Sequence, residues 1–109
     1  MAGVVEVNDK SFDATVLKAS KVAMVDFAAS WCPPCKILEP IVKEVAASVE
    51  DKAVVAHLDI DESRDTANRY GVLSVPTMIF FKGGREQARL VGVQQKQTIL
   101  TKINDLAAK

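Results

Sequence analysis

Cys32 and Cys35 are the only two cysteines in a chain of 109 residues, and two prolines separate them. They lie in Trp31-Cys32-Pro33-Pro34-Cys35-Lys36, which also holds the lone tryptophan. Two thiols at this spacing can form a disulfide, bind a metal in common, or exchange electrons with a second disulfide. A purely structural disulfide here closes a very short loop, for which the chain-entropy model gives about 2 kcal/mol, against about 3 for a 15-residue loop. A structural zinc site needs four ligands, and the chain offers the two Cys and one His, His57, so a second copy would have to complete it. Haem attachment requires a His directly after the second Cys, where Lys36 stands. Thiol–disulfide exchange needs only what is present: one thiol that ionises readily and a second close by to resolve the mixed disulfide.

The elements around the pair are those of an α/β chain. Val4, Val5 and Val7 make a β-prone start. The pattern at Ser11–Leu17 predicts a short helix, with Asn8, Asp9 and Ser11 all available as N-caps. Val22–Phe27 is a nearly continuous apolar run, the mark of a strand buried on both faces. After the Cys pair, Ile37, Leu38, Ile41, Val42, Val45, Ala46 and Val49 recur at helical spacing. Pro33 and Pro34 suit the first turn of that helix, whereas Pro40 lacks the N–H that would bond the Lys36 carbonyl and predicts a kink. Val54–Asp59 alternates like a strand, and Ser63 is placed to cap a helix ending at Tyr70, with Gly71 at its C′ position. Thr77–Phe81 and Glu86–Val91 flank a Gly83-Gly84 turn and read as a hairpin. Gln95–Ala107 closes with Ile99, Leu100, Ile103 and Leu106 on one helical stripe.

The order is therefore β-α-β-α-β-α-β-β-α, a central mixed five-stranded sheet flanked by four helices, in a single domain over residues 1–109. Hydrophobic residues make up 49% and charged residues 26%, with a formal net charge of zero. That balance favours neither nucleic acid nor an anionic membrane as partner, and no apolar run is long enough to span a bilayer. The N-terminal Met1-Ala2-Gly3-Val4-Val5-Glu6 has neither the basic nor the apolar region of a signal peptide, so the expected location is the cytoplasm.

Position favours exchange chemistry at the pair. Cys32 stands at a helix start, where unpaired N–H groups and the positive end of the macrodipole stabilise a thiolate. Lys36 adds a positive charge nearby, unless it points into solvent. Cys35, one turn along, is expected to be the shielded thiol and Cys32 the exposed one.

Four stretches resemble the thioredoxin family: Val25-Asp26-Phe27; Trp31-Cys32-x-Pro34-Cys35-Lys36; Tyr70-Gly71-Val72-x-x-Val75-Pro76-Thr77; and Phe80-x-Lys82-x-Gly84 with Gly92 beyond. Together they span nearly the whole chain. The resemblance implies the thioredoxin fold and a role for each matched position. Cys32 is the implied attacking thiolate, Cys35 the resolving thiol, and Asp26 the buried carboxyl that exchanges protons with Cys35. Burial raises a carboxyl's pKa, which suits a base working near neutral pH. Without the resemblance, Asp26 is equally a strand-end Asp capping the next loop. Pro76 is the implied cis-proline facing the pair, and Val75 the residue that offers its backbone to a substrate strand. Trp31, Pro33, Pro34, Gly92 and Val93 complete the implied substrate-binding surface, although Trp31 alone also reads as core.

Three positions depart from the family pattern. Pro33 stands where Gly is usual, Ala28 replaces a common Trp, and His57 replaces a common Lys. If His57 faces Asp26, the two titrate together near neutral pH; otherwise it is a strand histidine with one edge in solvent. Pro33 is expected to remove an N–H that would hold the Cys32 thiolate and to stiffen the loop, shifting the potential by a few tens of millivolts.

The implied function is reduction of protein disulfides, with a flavin-containing thioredoxin reductase using NADPH as electron donor. No cofactor or metal on the chain itself and a monomeric state are expected. The rival is a thioredoxin-like binding module whose redox activity is incidental, with a specialised oxidant or isomerase as a further variant. Trapping with Cys35→Ser separates them: many mixed disulfides mark an enzyme, and one non-covalent partner marks a module.

Overall fold

The computed structural model describes residues 3–109; Met1 and Ala2, on which part of the reading of the N-terminus rests, lie outside the described residues. Five strands make one mixed sheet: β1 (Val4–Val7), β2 (Val22–Ala28), β3 (Ala53–Asp59), β4 (Thr77–Lys82) and β5 (Arg85–Val91). Across the sheet they run β1-β3-β2-β4-β5. The first three are mutually parallel, while β4 runs antiparallel to β2 and β5 antiparallel to β4. Helices α1 (Pro33–Val49), α2 (Arg64–Arg69) and α3 (Lys96–Ala107) and a wide helical turn at Asp13–Leu17 complete the expected order.

Strand β2 is buried at all seven positions, because both faces of the sheet are covered. Val22 and Met24 meet Leu38, Val42 and Val45 of α1 and Ile99 and Ile103 of α3. Ala23, Val25 and Phe27 pack on the other side with Phe12, Val16 and Phe81. Asp26 belongs by alternation to the α1 side, and β2 delivers the chain from there to the Cys pair.

Helix α1 continues through Pro40 to Val49. An interior proline costs about 3 kcal/mol. Leu38, Val42, Val45 and Val49 are buried along the same helix, at about 1.5–3 kcal/mol each, so tertiary burial outweighs the missing bond.

The N-cap expectations need two corrections. Asn8 and Ser11 do organise the start of the first turn: Asn8 Oδ1 accepts from the N–H groups of Lys10 (2.9 Å) and Ser11 (3.0 Å). Asp9 instead crosses the molecule, its Oδ1 accepting from the Thr66 N–H at 2.9 Å and the Thr66 hydroxyl at 2.7 Å. Ser63 occupies the cap position of α2, but its buried hydroxyl makes no cap bond. A carboxylate reaching N3 from outside the helix satisfies the donor that Ser63 was expected to take. Gly71 does sit at C′ with φ +62°, a conformation that only a residue without Cβ adopts freely.

Candidate active site

The site lies at the carboxyl end of β2. Cys32 is the N-cap of α1 in extended conformation, with Pro33 and Pro34 at the first two helical positions. Cys32 and Cys35 are joined as a disulfide with their Cα atoms 5.3 Å apart. The Cys35 backbone N–H donates to Cys32 Sγ at 3.2 Å, and the Lys36 N–H donates to the Cys32 carbonyl at 3.3 Å. An N-cap side chain accepts from the second and third helical residues. Pro33 is the first, so its missing N–H is not one that would have reached the sulfur. The expected loss of a thiolate donor through Pro33 is thereby corrected; the donor present comes from Cys35.

The expected difference in exposure is also absent. Cys32 is 3% and Cys35 5% exposed, so both are buried in the disulfide. The shield over Cys32 is the loop before β4: the Val75 carbonyl oxygen lies 3.7 Å from Cys32 Sγ. That loop is fixed on both sides. The Thr77 hydroxyl donates to the Ser74 carbonyl at 2.7 Å, and the Gly92 N–H donates to the Pro76 carbonyl at 2.8 Å. The Val75–Pro76 bond is cis. Gly92, at φ +87°, turns the chain out of β5 so that its N–H meets Pro76.

Around this buried pair the surface is apolar and open. Trp31 is 64% exposed and donates its indole N–H to Asp61 Oδ2 at 2.8 Å, so it is not core. Val91 and Val93, on either side of Gly92, are exposed. Leu73, in the loop of Val75, is 98% exposed. Leu73 and Asp61 were not singled out in the sequence. An apolar residue between Gly71 and Pro76, outside any periodic run, is the signal that marks Leu73; nothing local marks Asp61 as the partner of Trp31.

Asp26 is 1% exposed, and its Oδ1 makes no hydrogen bond. It lines a cavity of about 420 Å³ with Cys35, Lys36, Glu39, His57 and Asp59 among its other walls. Desolvation pushes its carboxyl from 3.8 up to about 6, against the pull of His57 and with the repulsion of Glu39 and Glu6. The strand-end capping alternative does not describe it: Asp26 sits within β2 beneath α1, with Ala28 still to come. His57 is the register partner of Asp26 on β3, and Glu6 is the partner of His57 on β1. His57 Nδ1 lies 2.8 and 3.0 Å from the two Glu6 carboxylate oxygens. Its ring is about a quarter exposed, so it both faces Asp26 and touches solvent. Lys36 is exposed and stands at the cavity's rim.

Among the described residues no group of three His, Cys, Asp or Glu is placed to hold a metal ion, and no helix is long and apolar enough to cross a membrane. The sequence matches the Thioredoxin family over residues 3–105. It is 43% identical over 100 residues to thioredoxin 2 of Chlorobaculum tepidum, covering 92% of each chain. It is 45% identical over 96 residues to a thioredoxin of Staphylococcus aureus, covering 88% of this chain and 90% of that one. A bifunctional thioredoxin reductase/thioredoxin of Mycobacterium leprae is 42% identical over 106 residues, which are 96% of this chain and 23% of that protein. With the Cys32–Cys35 disulfide at a helix start opposite a cis-proline, and the match extending over almost its whole length, the chain belongs to the thioredoxin family and is a thiol–disulfide oxidoreductase.

Proposed function

We propose that Cys32-Pro33-Pro34-Cys35 is the redox centre through which this chain, acting as a single domain over residues 1–109, reduces protein disulfides. The observation that carries the reading is the disulfide seated at the α1 N-terminus between the Val75 carbonyl and the Asp26 cavity. In the reduced protein the Cys32 thiolate attacks one sulfur of a substrate disulfide. A Cys32–substrate disulfide forms, the substrate bond breaks, and the other substrate sulfur leaves as a thiolate. Cys35 then gives its proton to the Asp26 carboxylate and attacks Cys32 Sγ. The Cys32–Cys35 bond forms and the second substrate thiolate departs, so the substrate gains the two electrons that the Cys pair loses. The Cys35 N–H at Cys32 Sγ supports the first step, because a hydrogen bond to the charged form favours that form.

Trp31, Pro33, Pro34, Val75, Pro76, Gly92 and Val93 form the substrate surface in this reading, and Leu73 extends it. The half-buried Val75, in the loop beside the sulfur, is suited to pair its backbone with a substrate strand. The M. leprae relative, whose name joins a thioredoxin reductase to a thioredoxin, supports a thioredoxin reductase as the electron donor, for which the family resemblance implies a flavin and NADPH. The proposed working form is a cytoplasmic monomer. Insulin reduction, followed by turbidity, tests the mechanism: wild-type protein should precipitate the released insulin chains and Cys32→Ser should not. Equal activity of the two would sink it.

A further inference from the structure

Strand β5 grips both ends of the loop that carries Leu73 and Val75. The Gly92 N–H, just past the strand, donates to the Pro76 carbonyl at 2.8 Å. At the other end, Arg89 Nη2 donates to the Tyr70 carbonyl, also at 2.8 Å. Arg89 is the register partner of Ile79 on β4. Ile79 packs in one cluster with Tyr70 and Val72, so the guanidinium and the end of α2 meet on the same sheet face. The guanidinium is itself braced: Nε donates to Glu86 Oε2 at 2.7 Å and Nη2 to Glu86 Oε1 at 2.8 Å. Both side chains are about one-third exposed. A surface ion pair of this kind contributes little to stability by itself. What distinguishes it is the further bond to a main-chain carbonyl of another element, which uses the planar fork of arginine to serve two acceptors together.

Tyr70 is the C-cap of α2, and the loop leaves the helix through its peptide bond with Gly71. The Gly71 N–H donates to the Asn68 carbonyl at 3.1 Å. Arg89 and α2 thus hold the two polar ends of one peptide plane. Gly71 has φ +62° and open space where a Cβ would stand, and a glycine so placed does little by itself to resist rotation of that plane. Without Arg89 the plane is tied to the short helix alone; with it, the plane is tied to the sheet. Farther along, Ser74 is held by the Thr77 hydroxyl and Pro76 by Gly92. Those anchors serve Val75. Leu73 lies on the Arg89 side of them, one residue past Val72, whose N–H donates to the Ala67 carbonyl at 2.9 Å. At 98% exposure, the Leu73 side chain has no packing of its own to fix it.

We infer that Arg89, braced by Glu86, is a positioning residue for protein substrates: by holding the Tyr70 carbonyl it presets the first half of the loop, so that Leu73 meets a partner already in place. A loop that must be ordered on contact subtracts that ordering from the affinity, and a preset loop does not. The effect is confined to partners large enough to cover Leu73. A small disulfide that reaches only Cys32 gains nothing from Arg89. The inference rests on Leu73 belonging to the substrate surface, as in the proposed function.

The test is a double-mutant cycle on the full chain. KM and kcat for insulin reduction, with dithiothreitol as the recycling reductant, are measured for wild type, Arg89→Ala, Leu73→Ala and the double variant. Glutathione disulfide serves as the small substrate, and Arg89→Lys and Glu86→Ala as further variants. Leu73→Ala removes the contact itself and should raise KM for insulin by up to about 10-fold. Arg89→Ala should raise it by about 5-fold, the factor that one hydrogen bond commonly carries, with kcat and glutathione disulfide reduction unchanged. Arg89→Lys keeps the charge without the fork and should resemble Arg89→Ala, and Glu86→Ala should shift KM in the same direction. In the Leu73→Ala background, Arg89→Ala should add almost nothing, because the residue it positions is gone. Wild-type KM in Arg89→Ala, with Leu73→Ala impaired, overturns this inference and leaves Leu73 on the substrate surface. The same 5-fold penalty with and without Leu73 also overturns it, as does an equal loss on both substrates. Wild-type KM in Leu73→Ala overturns the underlying reading of the surface instead.

Discussion

The backbone N–H of Cys35 points at the sulfur of Cys32 across 3.2 Å. Neither residue between them has an N–H to offer, since both are prolines. Pro33 occupies the first helical position, whose amide does not serve an N-cap side chain, so replacing it leaves the Cys35 donor in place.

Pro33→Gly should consequently act through loop stiffness alone. That effect is worth about 0.4–1 kcal/mol, or roughly 10–20 mV for a two-electron couple. Equilibration with glutathione should place the variant within about 30 mV of wild type. A shift of about 60 mV or more would mean that the residue at this position reaches the sulfur in some other way.

Asp26 should make the oxidised protein less stable as the solution becomes more alkaline. Its carboxyl holds a proton more tightly folded, at about 6, than at the ordinary 3.8. The stability due to that proton is fully present below the unfolded value and is lost as pH rises through the folded one. The full loss is about 3 kcal/mol. Asp26→Asn, with no charge to bury, should exceed wild type by up to that amount in urea unfolding at pH 8 and match it near pH 4. A difference that does not vary with pH would assign the effect to packing.

Asp9 should show the opposite sign. Its carboxyl is held below the usual value by the hydrogen bonds from Thr66, so the cap contributes above the unfolded pKa and fades as pH falls through the folded one. Asp9→Ala should lower the urea midpoint at pH 7, with the gap from wild type closing in acid. Its rate of disulfide exchange should stay at the wild-type level, since neither Asp9 nor Thr66 packs on the Cys pair or lines the Asp26 cavity.

Leu73 offers a test of the surface that is separate from the chemistry. Leu73→Glu should change stability by no more than about 0.5 kcal/mol, the usual range for an exposed site. Burying a leucine against a partner is worth about 1.5 kcal/mol or more, so KM for insulin reduction should rise about 10-fold. Reduction of glutathione disulfide, which is too small to cover that loop, should hardly change. Equal losses on both substrates would place Leu73 in the chemistry or the fold instead.

What the sequence discloses about this molecule depends on how local the cause is. Strand β2 is visible because burial on both faces leaves almost no polar residue in it, and Asp26 stands out for the same reason. The start of α1 is visible because two prolines fit only a first turn. The N-cap of α2 is not, because its carboxylate comes from Asp9, 57 residues away from Thr66, while Ser63 fits the local pattern equally well. Exposure at the Cys pair is misjudged for a related reason: the cover over Cys32 is Val75, 43 residues further on. Trp31 is ambiguous until Asp61 is seen to hold its indole at the surface. The row of Glu6, His57 and Asp26 depends on strand register, which pairs residues from three separate stretches.

The strand order also bears on when the chain becomes able to transfer electrons during its synthesis. Cys32 and Cys35 leave the ribosome early, yet their loop is completed by the Val75–Pro76 segment, which is anchored by the N–H of Gly92, while α1 packs against Ile99 and Ile103 of α3. Until those later residues have emerged, the nascent chain carries two ordinary thiols with no helix terminus, no facing loop and no buried carboxyl to set them apart. The redox centre thus comes into being only as the last strand and helix close over the sheet.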